Sequence, residues 1–120
     1  MKTPGRSGSS RPSPDEMTFD ERVWELIAQV PEGRVTTYRA IARALGTRAY
    51  RRVGQACNRS PGMPQVPCHR VVASDGRLHG FASPLERKRE MLESEGIAIT
   101  GESNGMRVDL DRFGFDRFRE

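Results

Sequence analysis

The stretch 35–59, VTTYRAIARALGTRAYRRVGQACNR, leaves the chain few ways to fold. A β-branched run, Val35-Thr36-Thr37, ends on a threonine able to cap a helix. YRAIARAL then carries apolar residues at helical spacing. Gly46 stands where helices commonly end, and Thr47 offers a cap to a further helix, RAYRRVGQACNR, which stops before Ser60-Pro61. Two short helices joined by so tight a turn make a helix-turn-helix. In the second, Arg48, Arg51, Arg52 and Arg59 alternate with small Ala49, Gly54 and Ala56, and Val53 is the apolar anchor. A helical glycine costs about 1 kcal/mol relative to alanine, so Gly54 implies close approach of another surface. That surface is either the helix's own core or a nucleic-acid backbone with arginines around it.

The next loop, SPGMPQVPCHRVV, places Pro61, Pro64 and Pro67 around Cys68. Each proline fixes its own φ and drives the preceding residue toward extended geometry, so the cysteine is held in one orientation. Its thiol is a packed filler, a metal ligand or a nucleophile. The spacings of Cys57, Cys68, His69 and His79 fit no common zinc pattern, and no metal site is expected. A free thiol is only a few per cent ionised at pH 7 and needs a polarising neighbour. His69 adjoins it in sequence and would act through a bridging water, with a carboxylate orienting its far nitrogen, while Arg70 adds positive potential. Cys57 reads as a packed helix residue and His79 as a loop histidine.

Around this centre, Thr18-Phe19-Asp20-Glu21 is a capping box opening a helix over 19–30, with Trp24 packed beside it. Asp75-Gly76 reads as a turn. Ser83-Pro84-Leu85-Glu86 starts a helix over about 84–95, closed by Gly96. Asn104-Gly105 between β-prone segments reads as a hairpin like a small wing. The expected fold is mainly α: a single winged-helix-like, helix-turn-helix domain over 17–120 with short strands. Residues 1–16, rich in Gly, Ser, Pro and Arg, read as a disordered basic tail. No stretch of the 120 residues is apolar enough to span a bilayer or resembles a signal peptide, so a cytoplasmic, nucleoid-associated protein is expected. Net charge is +4, from 20 Lys+Arg against 16 Asp+Glu, and nearly all the cations are arginine. That balance favours nucleic acid as partner, although solvated arginine faces are common. A transcription factor reading paired half-sites would need a dimerisation helix, which the sequence does not show. A monomer without cofactor is expected.

PCHRVV, preceded by VTTYRAIA and an Arg-x-Val-Gly helix, resembles the DNA-binding and active-site domain of O6-alkylguanine-DNA alkyltransferases from about Phe19 to Gly96. The resemblance implies a protein that flips a damaged guanine from the duplex and moves its O6-alkyl group irreversibly onto cysteine. Cys68 would be the acceptor, His69 would draw off its proton through water, and Glu95 would orient His69. Tyr38 would donate toward a guanine ring nitrogen, and Arg51 would enter the base stack as a finger. It further implies DNA contacts by Thr36, Thr37, Tyr38, Ala49, Arg52, Gly54, Gln55 and Ser60. Substrate contacts would come from Trp24 and from the Val71 and Cys68 carbonyls, which would read the exocyclic amine, with Phe81 and Ala82 covering the pocket. Ser60 stands where the family usually has an asparagine that braces the turn before the active-site loop, and Phe81 replaces a tyrosine at the pocket lid. Residues 1–16 cannot supply the N-terminal domain that many members carry. The ending MRVDLDRFGF is similar to that of alkyltransferase-like proteins, short relatives that bind alkylated guanine without repairing it and pass it to nucleotide excision repair. A non-enzymatic sensor, with nucleotide excision repair proteins as partners, is therefore the alternative expectation.

Overall fold

A computed structural model describes residues 17–61, 65–78, 85–102 and 105–119. The expected basic tail (1–16), the Pro64 part of the proline loop, His79, the pocket cover Phe81-Ala82, the Ser83-Pro84 helix start and Asn104 lie outside the described residues. The elements run α1 (Phe19–Ile27), β1 (Thr36–Thr37), α2 (Tyr38–Ala44), α3 (Tyr50–Asn58), β2 (Val71–Val72), α4 (Leu85–Ser94), β3 (Ile99–Thr100), β4 (Arg107–Val108) and α5 (Leu110–Phe113). It is the expected mainly helical chain with small strands.

The cap at α1, the cap at α2 and Gly46 act as expected; the end of α1 and the start of α3 do not. Thr18 and Glu21 cap each other's backbone, at 3.1 and 2.9 Å. The helix ends at Ile27, earlier than expected, because Gln29 and Val30 bond three residues back, to Leu26 and Ile27; the tightened turn still buries Val30. Thr37, rather than Thr36, caps α2 by accepting from Ala40 N–H at 2.9 Å. Gly46 takes φ +72° after α2, where a side chain would be strained. Thr47 does not cap α3. Its hydroxyl accepts from Ala49 N–H two residues on, closing a local turn, so Arg48 stays in the connection and the helix begins only at Tyr50.

Two cores result. Val23, Ile27, Ile41, Val53, Ala56 and Val71 pack α1, α2 and α3 together. Val35, Val72, Leu78, Leu92, Ile97, Met106 and Val108 pack α4 against the β3–β4 hairpin, the expected wing. The parallel pair β1–β2 joins them, with Thr36 opposite Val71 and Thr37 opposite Val72. Side chains alternate across a strand, so Val71 enters one core and Val72 the other. This pairing ties the segment after Cys68 to the start of α2, and it brings Tyr38 next to the thiol.

Candidate active site and nucleic-acid face

Cys68 opens a 3₁₀ turn, Cys68–Arg70, fixed by Cys68 N–H to Val66 O at 2.8 Å and Arg70 N–H to Pro67 O at 2.9 Å. The residue is half-buried. Its sulfur lies 3.0 Å from Ser60 Oγ and 3.5 Å from the Cys57 carbonyl. Cys57 is the buried second thiol. The neighbouring Cys57 side chain, a hydrogen bond from Ser60 and the Lys88 charge together hold Cys68 below the ordinary thiol range, although burial opposes this. Cys57 is correspondingly pushed up. Cys68 is the acidic partner, as a nucleophile requires.

Behind the sulfur stands a chain of fixed charges. His69 is 1% exposed, and its Nε2 meets Glu95 Oε2 at 2.8 Å. Glu95, just past the end of α4, also receives Arg70 Nε at 2.9 Å and Arg70 Nη2 at 2.7 Å. A further Arg70 nitrogen donates to Val30 O at 2.9 Å. Burial alone would raise Glu95, but hydrogen bonds from Arg70 and His69 outweigh it and keep the carboxyl ionised below its usual range. Burial pushes His69 down, toward the neutral ring. With Nε2–H donated to the carboxylate, Nδ1 is the accepting nitrogen; it is buried and has no hydrogen-bond partner among the described residues. The expected His69–Glu95 contact is present.

Three features here were not foreseen. The fork from Arg70 onto Glu95 is one. The direct contact of the Ser60 hydroxyl with the sulfur is another: Ser60, expected at DNA and in the bracing position before the active-site loop, lies against the thiol itself. The third is Lys88, fully buried on α4, with Nζ 2.6 Å from the Val71 carbonyl. Burial lowers Lys88 to about 8. A lysine at a core position of an otherwise amphipathic helix was the available signal. The Val71 carbonyl, expected to read the exocyclic amine, instead accepts from the buried Lys88, and the Val71 side chain is fully buried.

The opposite side is open. α3 buries Val53, Ala56 and Cys57 on one face and exposes Arg51, Arg52, Gln55, Asn58 and Arg59 on the other. A cavity of about 590 Å³ is lined by Tyr38, Tyr50, Arg51, Gly54, Gln55 and Asn58, among others. A Cβ on Gly54 would meet nothing within 4 Å, so this glycine is not demanded by the protein's own packing. Ala56 is the reverse, fully buried against the core, and cannot lie along a groove. Tyr38 forms the wall between cavity and thiol. Burial, then the nearby Cys57 and Cys68, push its phenol up, so it stays a proton donor. Ala49, half-buried, precedes α3.

Several expected contacts fall elsewhere. Thr36 is 1% exposed in β1 and cannot reach DNA; Thr37, half-buried, spends its hydroxyl on the α2 cap. Arg52 lies over the Phe19 ring at 4.1 Å and stays exposed on the outer face of α3. Trp24, expected at substrate, packs between α1 and α3, where its indole donates to Ala56 O at 2.8 Å, and it does not line the cavity. Burial of a large ring with a satisfied N–H explains that position. Among the described residues no cluster suits a metal.

Residues 18–97 match the family model of the 6-O-methylguanine DNA methyltransferase DNA-binding domain. The chain belongs to the O6-methylguanine-DNA methyltransferase family. It is 44% identical over 84 residues to a methylated-DNA–protein-cysteine methyltransferase of Methanosarcina barkeri, covering 69% of this chain and 53% of the relative. It thus spans about half the length of that methyltransferase. It is 38% identical over 99 residues to the DNA base-flipping protein of Escherichia coli, covering 82% of this chain and 74% of the relative. Among solved structures it superposes on S. pombe Atl1 in complex with damaged DNA containing O6-carboxymethylguanine, with TM-score 0.71 and 32% identity, over 81% of this chain and 94% of Atl1. It also superposes on Mycobacterium tuberculosis OGT in complex with DNA, with TM-score 0.62 and 39% identity, over 66% of this chain and 50% of OGT. The family therefore contains relatives named as transferases and a relative named only for base flipping.

Proposed function

We propose that this protein binds duplex DNA through the exposed face of α3, turns an O6-alkylguanine out of the stack and takes its alkyl group onto Cys68 in a single turnover. The observation that carries the reading is the acidic, half-buried Cys68 sulfur set behind Tyr38, beside a helix whose outward face carries Arg51. A base cannot be attacked within the stack, and a damaged pair opens more cheaply than a sound one. Arg51 enters the duplex and offsets part of an unstacking cost of a few kcal/mol. His69 Nδ1 takes the thiol proton through water, and Glu95 holds the ring. The sulfur then forms a bond to the alkyl carbon as the carbon–O6 bond breaks, and the electron pair returns to the purine. Tyr38 donates a proton toward the ring nitrogen as negative charge builds there. The product is a thioether, which no described residue of the site is placed to reverse. The protein acts as a monomer where DNA lies, in the cytoplasm at the nucleoid, and no helix among the described residues is long and apolar enough to cross a membrane.

A second reading, a sensor that binds the lesion without transfer and engages nucleotide excision repair proteins, is favoured by the fuller coverage of Atl1 and of the base-flipping protein. Incubation with a duplex bearing O6-methylguanine, followed by intact-mass measurement, separates the two. A gain of one methyl group, absent in Cys68→Ala, supports transfer. Tight lesion binding at unchanged mass supports the sensor, and equal affinity for lesion and plain duplex at fixed salt removes both.

A further inference from the structure

Tyr50 opens α3 beside Arg51 and is 43% exposed, the one large apolar residue so open among the described residues. It stands on a ridge between two cavities. One is the 590 Å³ cavity it shares with Arg51 and Gly54. The other, about 360 Å³, is lined by Arg39, Arg43, Gly46, Thr47, Arg48 and Tyr50. Arg39 and Arg43 come one turn apart from α2, and Arg48 from the connection that the Thr47 turn holds out of the helix. All three are exposed, no carboxylate lines this cavity, and none of the three makes an ion pair or side-chain hydrogen bond with a described residue. Elsewhere arginines facing the protein are partnered: Arg59 by Asp20, Arg70 by Glu95, Arg89 by Glu93 and Arg34 by the Arg112 carbonyl.

On their other side Arg39 and Arg43 line a cavity of about 610 Å³ with Asp111 and Asp116, but neither aspartate is within ion-pair distance of them. Converging cations with no carboxylate in contact form an anion site, and guanidinium suits phosphate oxygens. A solvated aromatic ring at its rim has an apolar face left unused, and nucleic-acid bases stack on such faces whatever their identity. We propose that Tyr50 and the Arg39–Arg43–Arg48 cavity form a nucleotide subsite of the DNA face, separate from the Arg51 finger: an unstacked base lies on Tyr50 while its phosphate sits among the three arginines. It deepens the DNA-binding reading above. It does not depend on alkyl transfer, because any unstacked nucleotide, damaged or not, would fit. Such a site would hold bases displaced when the duplex opens.

The test uses the intact protein and a fluorescein-labelled, unmodified single strand of eight thymidines, read by anisotropy across a salt series. Without a lesion no transfer takes place, so failure of the Cys68 chemistry leaves the result untouched. Binding is expected, with Tyr50→Phe within two-fold of the wild type and Tyr50→Ala weaker by about 5- to 100-fold at an unchanged salt slope. Arg43→Ala/Arg48→Ala is expected to flatten the slope of log affinity against log salt by roughly 0.7 for each phosphate no longer neutralised. Melting curves control for folding. The proposal is overturned by absence of wild-type binding or by Tyr50→Ala within two-fold of wild type. It is equally overturned by Tyr50→Phe as weak as Tyr50→Ala, or by a slope indifferent to the two arginines.

Discussion

Arginine is used in opposite ways on the two sides of Cys68. Behind the sulfur, Arg70 is 12% exposed, forked onto a Glu95 that is 10% exposed and bonded to the Val30 carbonyl, so its donors are engaged by the protein. In front, Arg39, Arg43, Arg48 and Arg51 are exposed and pair with no described residue. The first arrangement fixes geometry, because a desolvated charge tolerates only the partner it was built for. The second leaves donors open to a polyanion at little cost in stability. Net charge alone does not locate a binding face. The distribution of unpaired charge does.

The contrast can be broken most forcefully at Glu95. Glu95→Ala strands a largely desolvated guanidinium and is expected to cost about 2–4 kcal/mol in denaturant unfolding, somewhat less than for a fully buried pair; a loss below about 1 kcal/mol would mean the rear charges are not coupled. Glu95→Gln, a gentler change, should slow transfer while leaving lesion affinity nearly intact.

Lys88 sharpens the same side through pH. Its folded value, about 8, lies below the ordinary 10.5, so between these limits the unfolded chain binds the extra proton. Stability of the wild type relative to Lys88→Met should therefore rise with pH from about 8 to 10.5. Parallel stability curves would show that Lys88 is not a desolvated cation.

On the front, Arg51→Ala should leave the melting temperature unchanged and weaken lesion binding by about 10- to 100-fold, since it removes the group that offsets unstacking. Plain duplex affinity should fall less, and equal weakening for both duplexes would deny Arg51 a role in flipping. The smallest effect is expected at Ser60. Ser60→Ala removes a donor to the thiolate, so alkylation of Cys68 by iodoacetamide at pH 7 should slow by about tenfold or less and its pH profile should move upward. An unshifted profile would show that the 3.0 Å contact does not tune the sulfur.

The features legible in the sequence are local ones. The Thr18–Glu21 box, the α2 cap, Gly46 and Gly96 announce themselves within four residues, and PCHRVV carries its neighbours with it. The features that escape it depend on long-range burial. Thr36 and Thr37 look equivalent, yet strand alternation sends one into the core and the other to a helix cap. Gly54 and Ala56 look like one small-residue face, although α3 turns the first outward and the second inward. Ser60 and Lys88 act through tertiary contacts 8 and 17 residues away. Arg70 meets Glu95 across 25 residues, a pairing that no spacing rule supplies. Trp24 shows the same limit, because its partner is a backbone carbonyl on α3.

The two thiols offer the most direct test. They share one hydrogen-bonded environment, but only Cys68 is the acidic, half-exposed member. After a single incubation with an O6-methylguanine duplex, peptide mapping by tandem mass spectrometry should find the methyl group on Cys68 and none on Cys57. Methylation of Cys57, or an unmodified Cys68 in protein that has bound the lesion, would contradict the assignment of Cys68 as acceptor.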